Sequence, residues 1–517
     1  MIKNKLINYI EKLKEENLFL EENIPDEIKN KTIELLTYDS RKVKNNTVFV
    51  CKGNNFKKEF LNSAMDNGAI AYVSEIQYKE EGRPYIIVKD IRKALAVLSA
   101  VYTNYPEKQI NMIGITGTKG KSTTTYFIKY IIDDYMNEIK GKETAIISSI
   151  DTFDGKNRTE SVLTTPESLE LHEHIRNAVD SNIENLVMEV CSQALKIDRV
   201  YGILYDIGVF LNISEDHISD IEHKDYEEYI SSKLKLFGQA KTAIINLNTQ
   251  DLERVMNAAK KAKKIITFGN SENADVIAYN IRKDGINTVF NVKTSKFDEE
   301  YVLTMSGLFN VENALAAIAV ANELNIPYKN IYNGLKRAKA SGRMEVYTDK
   351  EKNIVVIVDY AHNKLSFQKL YESTIKEYPK REIVTVFGCP GNHAQNRRKD
   401  LGELSGRYSS MNYLTTEDPR NEDPEDICKE ISTYIEKENG KYKIITDRGE
   451  AIKEAILQSK PNSVILITGK GNETVQYIKG KYVKCTTDVE YTKRYLKEYD
   501  KKIKNNKWVW ENVFEFK

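Results

Sequence analysis

The segment Gly114-Ile115-Thr116-Gly117-Thr118-Lys119-Gly120-Lys121-Ser122-Thr123-Thr124-Thr125 constrains the fold more than any other part of this chain. The apolar run before it (Met112, Ile113, Ile115) has the character of a buried strand. The pattern after it (Tyr126, Phe127, Ile128, Tyr130, Ile131) has that of a helix. Strand, glycine turn, Lys-Ser and helix is the arrangement that holds a nucleoside triphosphate. The glycines let backbone N–H groups face the phosphates, and the helix start adds positive partial charge. Gly117, Thr118, Lys119, Gly120 and Thr123 form the cradle, Lys121 reaches the β and γ phosphates, and Ser122 is placed to ligate Mg²⁺. The spacing is not that of the standard P-loop, because Ile115 stands where its first glycine belongs. With no guanine-reading Asn-Lys-x-Asp in the chain, this points away from GTPases and motor ATPases. A Gly/Lys-rich surface turn is the plain alternative, and the strand and helix on either side argue against it.

The rest of the chain predicts an α/β protein of three blocks, within the about two to four domains that its length allows. Residues 1–110 contain strand-like runs at Thr47-Val48-Phe49-Val50 and Tyr85-Ile86-Ile87-Val88 with helices between. Residues 111–345 open on the phosphate loop and alternate strands with helices, which predicts a central, doubly wound, mainly parallel sheet. Its strands fall at Thr144–Ile147, Asn185–Glu189, Ile207–Leu211, Ala243–Asn246 and Lys264–Phe268, and helices near Asn310–Glu323 and Tyr328–Ala338 close it. Residues 346–517 carry nearly all-apolar runs at Ile354–Val358, Ile383–Phe387 and Ser463–Ile467, as parallel strands buried on both faces do. This block reads as a second, Rossmann-like α/β domain. Met1 to Glu22 reads as an amphipathic helix, and the Lys/Asn-rich stretch Asp500 to Lys507 as a solvated tail.

Charge and cysteine content narrow the function. Lys and Arg number 77 against 76 Asp and Glu, so the chain exerts no general pull on nucleic acid or membrane. The five cysteines form no C-x-x-C pair, which suits a reducing compartment and argues against a zinc site. No apolar run approaches the ~20 residues that span a bilayer. The expectation is a cytoplasmic, soluble monomer whose anion binding comes from local sites.

Three segments outside the loop bear chemistry. Met188-Glu189-Val190-Cys191 ends a strand on a carboxylate, at the sheet edge where such folds bind ligands; Glu189 is a candidate Mg²⁺ ligand or else a surface ion-pair partner. His217, in Asn212-Ile213-Ser214-Glu215-Asp216-His217, is a candidate second ligand or an ordinary polar residue. Lys233 sits in the helical run Tyr229 to Phe237 and, by itself, reads as one solvated lysine among many.

Their order and spacing resemble the Mur ligase family of ATP-dependent amide-bond-forming enzymes, in its tripeptide-synthetase branch, over about residues 35 to 495. The resemblance implies that Glu189 and His217 bind Mg²⁺ and that Lys233 is carbamylated to N6-carboxylysine, an extended anion. It implies ATP contacts from Asn313 (Gly307-Leu308-Phe309-Asn310-Val311-Glu312-Asn313), Arg343 (Gly342-Arg343-Met344-Glu345), and Asp359 and His362 (Val358-Asp359-Tyr360-Ala361-His362). For the UDP-MurNAc-peptide it implies Ser40, Thr164, Thr165, Cys191 and Arg199. For the incoming amino acid it implies His393, Glu417, Asp418, Arg420, Gly469 and Glu473.

The implied reaction joins a third amino acid to UDP-MurNAc-L-Ala-D-Glu through an acyl phosphate, with ATP and Mg²⁺. Thr415-Thr416-Glu417-Asp418-Pro419-Arg420 matches the family's specificity segment, and the resemblance implies that Arg420 pairs with the distal carboxylate of meso-diaminopimelate, as a fork of N–H donors facing a carboxylate would. The chain departs from the pattern at Asp418 (usually Asn), His393 (Arg), Asn472 (His) and Cys191 (Ser), which bears on the amino acid more than on the chemistry. Lysine or another amine is the alternative. So are a Mur-like ligase with a folate or poly-amino-acid acceptor, which Ser40 and Thr164-Thr165-Pro166 argue against, and a non-catalytic scaffold, which Lys121, Glu189, His217 and Lys233 argue against.

Overall fold

The computed structural model describes residues 3–53, 56–78, 82–216, 218, 222–284, 287–392 and 395–514. The chain forms two compact units, Met1–Ile277 with Ala316–Gly334, and Ala278–Leu315 with Leu335–Lys517.

The first unit holds two sheets. The N-terminal sheet has the order Phe19–Asn23, Tyr85–Val88, Ala69–Ser74, Thr47–Val50, Leu35–Thr37, with only the first pair antiparallel. Leu6, Tyr9, Ile10 and Leu13 of the helix Leu6–Glu15 pack into its core. The expected N-terminal helix is therefore real but ends at Glu15. Asn17 adopts a left-handed φ of 55°, a common helix stop, and Phe19–Asn23 departs as an edge strand.

The central sheet places Lys264–Gly269, Ala240–Asn246, Tyr205–Phe210, Asn111–Thr116, Asn185–Glu189 and Ala145–Ile147 side by side, all parallel. Its far edge continues as antiparallel strands Asp151–Phe153 and Arg158–Glu160. Asn111–Thr116 is followed in the chain by strands on one side of it and then by Tyr205–Phe210 on the other. The strand order therefore reverses there, and a crevice opens at the carboxyl ends of these strands.

The second unit pairs Asn287–Lys293 with Asp298–Leu303 antiparallel. Its main sheet has the order Glu345–Thr348, Ile354–Asp359, Ser463–Thr468, Glu382–Phe387, Met411–Leu414, Tyr442–Ile444, parallel after the first pair. Ser463–Thr468 inserts between strands far earlier in the chain, which creates a second crevice at the carboxyl edge. A small hairpin, Val475–Ile478 with Lys481–Lys484, follows it. The expected tail at 500–507 is instead part of the helix Asp488–Phe514. Val489, Tyr495, Leu496 and Tyr499 form a buried stripe against Ala451, Ile452 and Ala455, and Ile503 extends it into the Lys/Asn-rich stretch. That stripe holds a polar segment helical.

Candidate active site

In the first unit the phosphate loop leaves Asn111–Thr116 and enters the helix Lys121–Glu138. Gly117 has φ 153° and Gly120 φ 88°, both in the region that favours glycine. The loop is pinned from the next strand's end. The Thr118 amide donates to the Asn212 carbonyl (3.0 Å) and the Lys119 amide to Asn212 Oδ1 (2.8 Å). Lys119 Nζ pairs with Asp216 at 3.1 Å.

The chemistry-bearing side chains converge on this loop. Lys121 Nζ donates to the Gly117 carbonyl at 2.9 Å, and Lys233 Nζ donates to that same oxygen at 2.9 Å. Lys233 is buried, lies 4.7 Å from the Tyr229 ring centroid, and is in no ion pair among the described residues. Burial, and then the Lys121 charge, hold its amine well below the usual lysine range. Ser122 Oγ meets Ser149 Oγ at 2.9 Å, and the Ser149 amide and hydroxyl donate to Glu189 Oε1 at 2.8 and 3.2 Å. Glu189 is only 1% exposed, yet no cation pairs with it among the described residues. A buried carboxylate beside a hydroxyl, without a counter-cation, fits a hard divalent ion.

The expected acceptor contacts adjoin Glu189. Thr165 Oγ1 donates to the Glu189 carbonyl (2.9 Å) and accepts from the Cys191 amide (3.1 Å). Arg199 Nη1 donates to the Thr165 carbonyl at 3.2 Å, and its other arm pairs with Glu167 at 2.7 Å. Thr164 is half-buried beside them. Ser40 opens the short turn Ser40–Lys42 of the N-terminal block and bonds to none of these residues. Lys52 of that block does reach Glu167. His217 and His393 lie outside the described residues.

In the second unit the Arg343 guanidinium stacks 4.2 Å from the Tyr360 ring centroid. The Tyr360 hydroxyl donates to Glu473 (2.6 Å), Glu473 pairs with Lys470 (2.5 Å), and Lys470 pairs with Asp418 (2.8 Å). Asp359 accepts from the Met344 and Ala361 amides, both at 2.8 Å, and His362 Nδ1 lies 2.7 Å from the Tyr360 carbonyl. Residues expected on the ATP side thus join those expected on the amino-acid side. Asn313 stands apart from this network, bonded to Asn310 Oδ1 at 2.9 Å.

Glu417 lies at the crevice between strand ends. A Cβ at Gly469, whose φ is 102°, would sit 2.9 Å from its Oε2. Burial pushes the Glu417 carboxyl up to about 7, and the Asp418 charge adds to this. A cavity of about 470 Å³ opens beside the specificity segment, bordered by Arg420, Arg448, Lys470, Glu473, Lys479 and Cys485. Arg448 is spent on Asp488, at 2.6–2.7 Å. Arg420 is in no ion pair among the described residues, and its Nε is buried without an acceptor.

Residues 115–321 match the Mur ligase middle domain, and residues 342–471 the Mur ligase glutamate ligase domain. Over its length the chain is 37% identical to a UDP-N-acetylmuramyl-tripeptide synthetase of Lactobacillus delbrueckii subsp. bulgaricus, covering 95% of this chain and 98% of that protein. The chain belongs to the Mur ligase family. As a Mur ligase of the tripeptide-synthetase type it is an ATP-dependent ligase of peptidoglycan precursor synthesis. It is also 36% identical to an L-lysine ligase of Enterococcus faecalis, UDP-N-acetylmuramoyl-L-alanyl-D-glutamate--L-lysine ligase, over 88% of this chain and 90% of that one. Its fold matches that of a solved 2,6-diaminopimelate ligase with a TM-score of 0.67 at 23% identity, over 96% and 99% of the two chains. It also matches an ADP-bound ligase from Thermotoga maritima, with a TM-score of 0.60 at 18% identity, over 90% and 98%.

Four residues of this Mur ligase's site were not singled out from the sequence. Ser149 links Ser122 to Glu189. It stands just past the strand Ala145–Ile147, the same strand-end position that marks Glu189. Tyr229 lies one helical turn before Lys233, the spacing that stacks side chains, and its hydroxyl meets Thr118 Oγ1 at 3.0 Å. Tyr360 and Lys470 gain their roles only from tertiary neighbours.

Proposed function

We propose that this ligase adds meso-diaminopimelate to UDP-MurNAc-L-Ala-D-Glu through an acyl phosphate. In this reading residues 1–110 bind the UDP-sugar, 111–345 ATP, and 346–517 the amino acid. The loop amides of Gly117 to Thr123 and the Lys121 ammonium orient the γ-phosphate. The D-Glu carboxylate attacks the γ-phosphorus and the bond to ADP breaks. The amine, having given its proton to solvent, then attacks the acyl carbon, and inorganic phosphate leaves. Ser122 and Glu189 would hold Mg²⁺, with His217 as the further ligand that the family resemblance implies. When bound, the ion supplies charge neutralisation for two anions that otherwise repel. Burial and the neighbouring Lys121 charge favour the neutral amine of Lys233, which would capture CO₂: an N–C bond forms, one proton is released, and the resulting carbamate would offer a hard oxygen ligand. Ser40, Thr164, Thr165, Cys191 and Arg199 take the UDP-MurNAc-peptide.

The choice of amino acid rests on one observation: Arg420 borders a cavity, is in no ion pair among the described residues, and has its Nε buried without an acceptor, although Glu422, Asp447, Glu473 and Asp488 also line that cavity. Meso-diaminopimelate supplies a distal carboxylate, and lysine does not. Relatives that carry L-lysine in their names favour lysine as the second reading. Phosphate release with UDP-MurNAc-dipeptide and ATP, against a panel that includes both amino acids, decides between them. Stimulation by diaminopimelate over lysine is expected, the reverse order overturns the choice, and no stimulation by any amino acid overturns the acceptor assignment.

A further inference from the structure

The turn Glu417–Arg420 is gripped by the hairpin Val475–Ile478/Lys481–Lys484. Gln476 Nε2 donates to the Glu417 carbonyl at 2.9 Å, and the Tyr477 amide donates to Asp418 Oδ1 at 3.2 Å. The Arg420 amide donates to the Tyr477 carbonyl at 3.0 Å, and the Arg420 carbonyl accepts from the Lys479 amide at 2.7 Å. Arg420 itself has a φ of 54°, a left-handed conformation that a non-glycine residue holds only when its surroundings enforce it. The hairpin enforces it.

The hairpin also addresses the side chain. The Arg420 guanidinium lies 5.5 Å from the Tyr477 ring centroid. The Tyr477 ring is backed by its cross-strand partner Tyr482, centroid to centroid 4.9 Å, and Tyr482 is 70% exposed. An arginine without a carboxylate partner keeps much of its rotamer freedom, about 2 kcal/mol in all. An aromatic face restrains it without satisfying its donors, so the fork stays available for a ligand.

We propose that Tyr477 is a positioning residue for Arg420, and that the hairpin thereby sets how strongly the enzyme prefers amino acids carrying a distal carboxylate. This rests on the reading of Arg420 given above, and the experiment keeps the two separate. The variants are Tyr477→Leu, Tyr477→Phe, Tyr482→Ala and Arg420→Ala, in the full chain. Trapping of the acyl phosphate with hydroxylamine, using UDP-MurNAc-dipeptide and ATP alone, checks that each variant folds and activates its acceptor.

With meso-diaminopimelate, Tyr477→Leu is expected to raise KM roughly threefold to tenfold, the range such a contact is worth, with kcat held. Its KM for lysine should not move. Tyr477→Phe should behave as the parent, and Tyr482→Ala should shift in the same direction by less. Equal losses for both amino acids, or no change in Tyr477→Leu where Arg420→Ala loses the preference, overturn the proposal. The rate at which phenylglyoxal modifies Arg420, followed by mass spectrometry, reads positioning without any amino acid. It should rise in Tyr477→Leu and not in Tyr477→Phe, and an unchanged rate overturns the proposal. A parent enzyme that ignores the distal carboxylate overturns the diaminopimelate reading instead.

Discussion

Replacing Glu417 by Gln should make the second unit more stable at neutral pH and less active. Glu417 is a buried carboxyl at the carboxyl edge of the sheet, raised from 4.5 to about 7. Between those values the folded chain holds a proton that the unfolded chain has released. The native state then binds more protons than the unfolded one, so stability falls as pH rises from about 4.5 to about 7 and levels off above. The size of the fall follows from the displacement, on the order of 3 kcal/mol. Glutamine has the same shape and no charge to desolvate, so the Glu417→Gln variant should lose that slope and gain stability of that order at pH 8. At pH 4 the two proteins should match. Hydrogen exchange of peptides covering Met411–Leu414 and Ser463–Thr468, measured from pH 5 to 8, reads this unit alone. An identical pH slope in parent and variant would refute the reasoning, because some other group would then carry the titration. A buried acid that destabilises its own unit is what a residue serving a ligand looks like, and under the proposed function that ligand is the amino acid.

Three further predictions concern the first unit and the crevice. Lys121→Ala should abolish UDP-MurNAc-dipeptide-dependent phosphate release while leaving binding of the UDP-sugar, followed by calorimetry, intact; a scaffold protein would lose no function that matters. Lys233→Ala should be inactive and partly rescued by short carboxylic acids, and the parent should show a carbamate signal by ¹³C NMR in ¹³CO₂-equilibrated buffer that the variant lacks. Gly388→Ala puts a Cβ 2.2 Å from the Thr415 carbonyl oxygen and 3.0 Å from the Glu417 amide, backbone atoms that cannot swing away. It should destabilise the second unit by about 1–3 kcal/mol and raise KM for the amino acid, both absent if the crevice is looser than drawn.

The parallel strands were legible because each is a short, nearly unbroken apolar run, and burial on both faces leaves them no other pattern. Asn185–Glu189 and Thr47–Val50 fall where the sequence puts them, and Ser463–Thr468 runs one residue further. The hairpins were not legible. Val475–Ile478 and Lys481–Lys484 are four residues each, and every residue of the second is exposed, so no periodicity distinguishes them from a loop. The C-terminal helix was hidden by composition: Lys and Asn dominate around residue 503, while the apolar stripe that anchors the helix lies mostly upstream.

Within the site, the legible part is the part that is contiguous. The phosphate loop makes its own geometry from consecutive residues, and Glu189 declares itself by ending a strand. Lys233 is the opposite case. Nothing in Ser231-Ser232-Lys233-Leu234 sets it apart from other lysines, and only the resemblance raised it. The fold supplies the cause: two lysine amines on the one Gly117 carbonyl, one of them buried against an aromatic ring. Two ammonium groups in that position repel, and burial together with the Lys121 charge disfavours the charged form of Lys233. Asp418 follows similar logic. The Lys470 ammonium is held between Asp418 and Glu473. An asparagine at 418 would accept the same hydrogen bonds at Oδ1 but would leave Glu473 as the lysine's sole counter-charge, while Glu473 is also the acceptor for Tyr360. The departure from the usual amide thus belongs to a charge arrangement running from Arg343 through Tyr360, Glu473 and Lys470 to the turn that carries Arg420. A change at any one member should be felt at the others.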